Sequence, residues 1–288
     1  MRRREFIIAL GGAAWPLAVF AQHSDRVRRV GIVMPYAKGD AENEARILAF
    51  KQELGKLGWT EGLNLQFDEH WTTDNMDLVR AQAASLMASD PDVVVASAGR
   101  VIRVLMQLSR SIPIVILGAS DPVGVGYAKS LAHPGGNVTG FALFELTMLA
   151  KSLEILKQIA PTIVRVAIIY SADNTNIAFF RRSFQAAAGP LGIEPVDAPI
   201  HELADIDRAV ASLAGTVNSG LFFIPDVTTL GLRREVVDLV AQHRLPAIYS
   251  DSSFVKIGGL AFYGADRTDI FRRSAGYVDR ILRGEKAL

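Results

Sequence analysis

The sequence predicts an α/β protein of two Rossmann-like lobes with parallel sheets. Three observations predict it. Short β-branched runs alternate with amphipathic helical stretches from residue 27 onward. The most apolar runs, 93–96 and 113–117, read as strands covered on both faces. A stretch rich in glycine and proline, residues 121–140, separates one strand–helix series from a second. A chain of 288 residues, 50% hydrophobic and 21% charged, is long enough for two such cores.

The first series opens with a strand at 29–34, ended by Pro35. A helix over 42–57 follows, with Ala45, Leu48, Ala49, Leu54 and Leu57 as its apolar stripe and Gly58 as its stop. Residues 63–71 alternate as a strand, with Leu63, Leu65 and Phe67 on one side. Helices at 75–88 and 101–109 flank the buried strand 93–96, and strand 113–117 closes the series. The second series runs helix 147–159, strand 164–170, helix 178–188, strand 193–200, helix 205–213, strand 220–224, helix 232–243, strands 246–249 and 259–263, and helix 270–282.

The amino terminus reads as an export signal. Arg2, Arg3 and Arg4 precede an apolar run over 6–20, and Ala21 stands at a cleavage position before a polar stretch. The run falls short of the ~20 residues needed to cross a bilayer. Arg3-Arg4-Glu5-Phe6-Ile7 matches the core of a twin-arginine signal. The expectation is a signal peptide over 1–21, passage through the export machinery, and a soluble periplasmic product. The chain has no cysteine, which excludes disulfides, thiolate metal sites, cysteine nucleophiles and a lipoprotein anchor. The formal net charge is +1, with no basic patch in the body, so nucleic acid is not an expected partner.

Ligands of open α/β sheets bind beyond the carboxyl ends of the strands. The candidate ligand-binding residues are therefore Tyr36, Ser97, Gly99, Arg100, Ser120, Asp121, Tyr170, Asn174, Asp226 and Asp251. Two readings stand for Asp121, Asp226 and Asp251. Each either caps a helix or fixes a turn, or pairs with a ligand ammonium group. Tyr36 and Tyr170 either stack on a ligand or seal the rim. Catalytic chemistry is not found. The histidines at 23, 70, 133, 201 and 243 have no metal-motif spacing. There is no phosphate loop and no nucleophile elbow, and Gly124-Val125-Gly126 lacks the third glycine of a dinucleotide loop. Neither a cofactor nor an enzymatic activity is expected.

Several segments, in order, carry a family resemblance: Arg3–Ile7, Gly58-Trp59-Thr60-Glu61-Gly62-Leu63-Asn64, Ile112-Pro113-Ile114-Val115, Asp121-Pro122-Val123, and above all Leu131-Ala132-His133-Pro134-Gly135-Gly136-Asn137-Val138-Thr139-Gly140. Pro246-Ala247-Ile248-Tyr249, Gly258-Gly259-Leu260, Tyr263-Gly264 and Ile281-Leu282-Arg283-Gly284-Glu285-Lys286 complete the set. The chain resembles the bacterial ABC-transporter substrate-binding family with the type I periplasmic-binding fold, in its tryptophan/tyrosine-binding-like group.

The resemblance implies a non-enzymatic receptor that closes by a hinge on a small solute, an amino acid or a related molecule. It implies an ABC permease and its ATPase as partners. It also implies crossings near 139–142 and 257–260, giving a first lobe of 27–140 and 259–288 and a second of 141–258. Where the family has a Thr- and Gly-containing turn that receives a ligand carboxylate, this chain has Ser97-Ala98-Gly99-Arg100-Val101. It ends at Leu288, where relatives continue with a further strand and helix, so a C-terminally shortened second lobe is expected. A periplasmic ligand sensor and, less favoured, an enzyme on the same scaffold remain the alternatives.

Overall fold

A computed structural model describes residues 26–285. The expected signal peptide lies outside the described residues. Two five-stranded sheets, parallel throughout, form the framework. The first contains β1 (Arg28–Met34), β2 (Leu65–Trp71), β3 (Val93–Ala96), β4 (Ile114–Ser120) and β5 (Val138–Phe144) in the order β2-β1-β3-β4-β5. The second contains β6 (Arg165–Ser171), β7 (Glu194–Ile200), β8 (Ser219–Phe223), β9 (Ala247–Tyr249) and β10 (Ala261–Phe262) in the order β10-β9-β8-β6-β7. The two orders are the same topology repeated. In each lobe the strand order reverses beside the first strand, between β1 and β3 and between β6 and β8, and such a reversal leaves a crevice at the strand ends.

The helices of the first lobe are α1 (Ala41–Lys56), α2 (Met76–Ala88) and α3 (Gly99–Leu108). Those of the second are α4 (Leu146–Ile159), α5 (Ile177–Ala188), α6 (Leu203–Ala214), α7 (Val227–Gly231), α8 (Arg233–Gln242) and α9 (Ser252–Val255). The last helix, α10 (Arg267–Leu282), packs on α1, β4 and β5 and so returns to the first sheet. The caps follow ordinary chemistry: Asp40, Asn75 and Asp266 each accept first-turn amides of α1, α2 and α10. β3, β4 and β8 are buried along their whole length. At the outer edge of the second sheet β7 carries Pro195 and Pro199. Proline there removes donors from the exposed edge and blunts further strand pairing.

Three differences from the sequence reading have physical causes. The expected apolar stripe of α1 is not its buried face. Leu48 is 54% exposed, and the face turned inward carries Asn43, Arg46, Ile47, Phe50 and Leu54. Two polar residues on that face concealed it. Leu63 is likewise exposed, and the strand begins at Leu65. The first crossing was expected near 139–142, yet those residues lie inside β5. Gly140 interrupts the apolar run, and the register with β4 is irregular between Ile116 and Ser120. The chain therefore leaves the first sheet after Phe144 and returns after Phe262, a few residues beyond both expected crossings.

Gly140 is held at φ +134, and a Cβ there would sit 2.4 Å from the Ile116 carbonyl oxygen. Gly140→Ala is therefore expected to lower stability by about 1–3 kcal/mol from backbone strain alone. Gly136→Ala, with open space around the added methyl, is expected to stay within about 0.5 kcal/mol. Urea unfolding midpoints of the two variants check the contrast.

Candidate functional site

The two strand-order reversals face each other, and a cavity of about 60 Å³ lies between them. From the first lobe it is lined by Tyr36 after β1, by Ser97, Ala98, Gly99 and Arg100 where β3 passes into α3, and by Ser120 at the end of β4. The second lobe contributes Asn174, Thr175 and Asn176 after β6, and Pro225, Asp226 and Val227 after β8. Arg267, the first residue of α10, completes the wall. Ligand pockets for organic molecules commonly reach ~300–1,000 Å³, so the lobes lie closed upon each other here. Gly99 makes this approach possible. A Cβ at Gly99 would come 2.7 Å from the Thr175 hydroxyl of the opposite lobe.

Polar ties hold the closed arrangement. Asn176 Nδ2 donates to the Ser120 carbonyl at 2.8 Å. Arg233 of α8 pairs with Asp40 at 2.7 Å, and Lys256 with Glu42 at 3.0 Å. Asp74 accepts from Arg100 in its own lobe and from the Thr228 hydroxyl in the other. The most buried tie is a triad. Asp251, which caps α9, receives Arg46 of α1 at 2.9 Å and Arg267 of α10 at 3.3 Å. Arg267 also donates to the Tyr36 hydroxyl at 2.8 Å. Burial pushes the Asp251 carboxyl up, but Arg267 and Arg46 overcome it and hold the group well below the usual carboxylate range. Burial and the neighbouring Arg267 charge lower Arg46. Burial opposes the charge on Arg267 too, yet Tyr36 and Asp251 outweigh it and raise that group.

The cavity brings together Tyr36, Ser97, Gly99, Arg100, Ser120, Asn174 and Asp226 of the expected residues. Three lie elsewhere. Tyr170 shares a face of β6 with Val166 and Ile168, and all three pack against α4 and α5. The two-residue period of a strand turns Tyr170 away from the cleft, and burial together with Asp197 raises its hydroxyl. Asp121, at φ +47, closes a local turn by accepting the Gly124 amide at 2.9 Å, and it lines a separate apolar groove with Pro122, Leu131, Phe144 and Phe179. Asp251 stands behind Arg267 rather than in the cavity wall.

Asp226 reaches the cavity, but as a cap. One oxygen accepts Thr228 and Thr229 amides, at 3.0 and 3.2 Å, and the other accepts the Ser171 amide and Asn174 Nδ2, at 3.1 and 2.9 Å. Burial raises its pKa against these hydrogen bonds. Of the lining residues that the sequence reading did not name, Thr175 and Asn176 among them, Arg267 is the charged one. It stands five positions past β10, one turn beyond the strand-end residues that the sequence reading examined. Among the described residues, no group of three or more histidines and carboxylates is arranged to hold a metal.

Two facing strand-order reversals with a small cavity between them define a bilobal α/β architecture. The family model described as ABC transporter substrate binding protein matches residues 31–288. A tyrosine-binding protein of Clostridioides difficile (strain R20291) is 24% identical over 237 residues, 82% of this chain and 68% of that one. A conserved domain protein from Vibrio cholerae superposes with a TM-score of 0.84 at 25% identity, covering 91% of this chain and 87% of that one. The fold of an ABC domain from Streptococcus pneumonia in complex with L-Trp matches at TM-score 0.81 and 20% identity, over 90% and 86% of the two chains. The chain belongs to the ABC transporter substrate-binding protein family.

Removing the Asp251 charge strands two buried guanidiniums. Asp251→Ala is expected to cost about 3–5 kcal/mol at neutral pH. Because the folded-state pKa is depressed, this stabilisation is complete above the unfolded carboxylate pKa of about 4 and is lost as pH falls through the folded value. The wild type should therefore lose stability steeply below about pH 4, and Asp251→Asn should flatten that slope. Unfolding curves measured across acid pH check both.

Proposed function

We propose that this chain is the extracytoplasmic solute receptor of an ABC importer. It takes an amino acid or related organic solute between its lobes, closes about the hinge formed by the two crossings, and docks in the closed form on a permease served by an ATPase. The observation that carries this reading is the placement of the cavity at both strand-order reversals, with Arg267 and the start of α3 in its wall. No side chain caps α3, so its first-turn amides and helix dipole are available to a carboxylate. The names of the relatives, a tyrosine-binding protein and a domain in complex with L-Trp, support an amino-acid-like solute. The arginine pair and apolar run of the first 21 residues support export to the periplasm through the twin-arginine machinery. Among the described residues no helix is long and apolar enough to cross a membrane.

Closure requires Asn176 to reach Ser120 and Thr175 to lie against Gly99. Lobe positions then respond to solute only to the extent that the solute contacts the closed form better than the open one.

Thermal unfolding of the purified chain against amino acids, aromatic acids and sugars tests the reading. A bound solute at ~100 times its dissociation constant should add about 2.7 kcal/mol. A cooperative transition that no solute in the panel moves would count against a receptor of this class. Gly99→Ala is expected to weaken solute affinity by about tenfold, ~1.4 kcal/mol, and, because its Cβ would also lie 2.9 Å from the Tyr127 hydroxyl of its own lobe, to lower the unfolding midpoint of the unliganded chain. Titration calorimetry beside the melting curve separates the two effects.

A further inference from the structure

Behind the cavity wall stands a buried tyrosine that the sequence reading did not single out. Tyr127 is 5% exposed, and its ring belongs to the first-lobe core that includes Val101, Ile102 and Ala119. The turn that carries it is tied to itself. The amides of Val125, Gly126 and Tyr127 donate to the carbonyls of Asp121, Val123 and Pro122 at 3.1, 3.0 and 2.8 Å. This turn follows directly on Ser120, whose carbonyl receives Asn176 of the second lobe. Tyr127 is thus carried on a firm post at the seam between the lobes.

Its hydroxyl leaves the core and reaches that seam. It donates to the Gly99 carbonyl at 2.8 Å, and Gly99 lines the cavity while Tyr127 stands behind it. A Cβ built on Gly99 would lie 2.9 Å from the Tyr127 hydroxyl and 2.7 Å from the Thr175 hydroxyl. Two oxygens, one from each lobe, therefore converge on one glycine, and Thr175 and Arg103 are the polar neighbours of the Tyr127 hydroxyl. Ala98, the residue before, is held at φ +67, where an alanine is rarely found. Such a conformation persists only where its surroundings over-determine it, and the Tyr127 bond fixes the adjoining residue.

We infer that Tyr127 is a positioning residue for lobe closure: its hydroxyl sets Gly99 against Thr175 and biases the lobes toward the closed arrangement without touching the solute. This deepens the solute-receptor reading and rests on its hinge. The Gly99 bond lies within one lobe and survives opening, whereas the approach to Thr175 exists only when the lobes meet. Tyr127→Phe keeps the ring and its packing. It removes the oxygen and leaves the Gly99 carbonyl short of a partner in a buried seam, a loss that costs more than the bond itself contributes.

The test reads closure directly and adds no solute. The chain has no cysteine, so Ser85→Cys on α2 and Ser212→Cys on α6, both at exposed positions in different lobes, carry the only spin labels. Double electron–electron resonance then gives the ratio of closed to separated molecules. Tyr127→Phe is expected to shift that ratio about fivefold toward separation, the size of one net hydrogen bond. Thr175→Val, from the other side of the seam, is expected to do the same. The double variant should shift it little further than either alone, because both act through one contact. Tyr170→Phe, which removes the hydroxyl of a buried tyrosine turned away from the cleft, should leave the ratio unchanged.

An unchanged ratio in Tyr127→Phe would overturn the inference, and a lowered unfolding midpoint beside it would mark Tyr127 as a core residue alone. Shifts that simply add in the double variant would overturn it too, as would a wild type whose lobes are found only apart. Should the phenylalanine variant fail to fold, Thr175→Val against wild type decides, and an unchanged ratio there has the same meaning. None of these results touches the receptor reading, whose own failure would show as a melting curve that no solute moves.

Discussion

Asp251 is the point through which the closed molecule is held. It leaves β9 in the second lobe, caps α9 with its own side chain, and receives guanidiniums from α1 and α10 of the first lobe. Few polar groups in the described chain join so many elements at once. The triad sets the orientation of Arg267, which donates past Asp251 to the Tyr36 hydroxyl at 2.8 Å and to Ser97 at 3.4 Å. One buried carboxylate thus ties the second lobe to the end of β1, the end of β3 and the start of α10. Breaking one partner of such a cluster leaves charges without solvent or counterion, which is why a buried ion cluster constrains conformation more than it adds stability.

The repeated strand order explains where this cluster stands. Each sheet reverses direction beside its first strand, and the loops that follow β1 and β3 meet those that follow β6 and β8. The facing loops supply hydroxyls, amides and amide side chains at close range, with α3 and α5 beginning on opposite sides of the same space. Neither helix start is capped by a side chain. The chemistry of the site follows from topology first and from individual side chains second.

Most of the framework was legible in the sequence because apolar strands and helix punctuation are local signals. The parallel sheets of two Rossmann-like lobes, and the positions of the strand ends, followed from them. What escaped reading was set by contacts between distant segments. The buried face of α1 carries Asn43 and Arg46, and an arginine is read as solvent-facing unless its partner, 205 residues away, is known. Arg267 was invisible for the same reason. Tyr170 was expected at the cleft because strand ends were read without their two-residue alternation, whereas Asp226 lines the cavity and its four donors emerged only from the fold. β5 was hidden by Gly140, whose positive φ answers the close approach of Ile116.

The small volume of the interlobe cavity has a kinetic corollary. Under the proposed receptor function, a space of about 60 Å³ leaves little room for an organic solute, so uptake would proceed through molecules whose lobes have parted. Capture then behaves as a gated process. At low solute the observed rate rises with concentration, and at high solute it levels off at the rate of lobe separation. The apparent dissociation constant is the intrinsic one divided by the fraction of molecules that are open. A substitution that loosens the ties around Asp251 without touching the cavity wall would raise that plateau and quicken release, trading retention of the solute for speed of exchange.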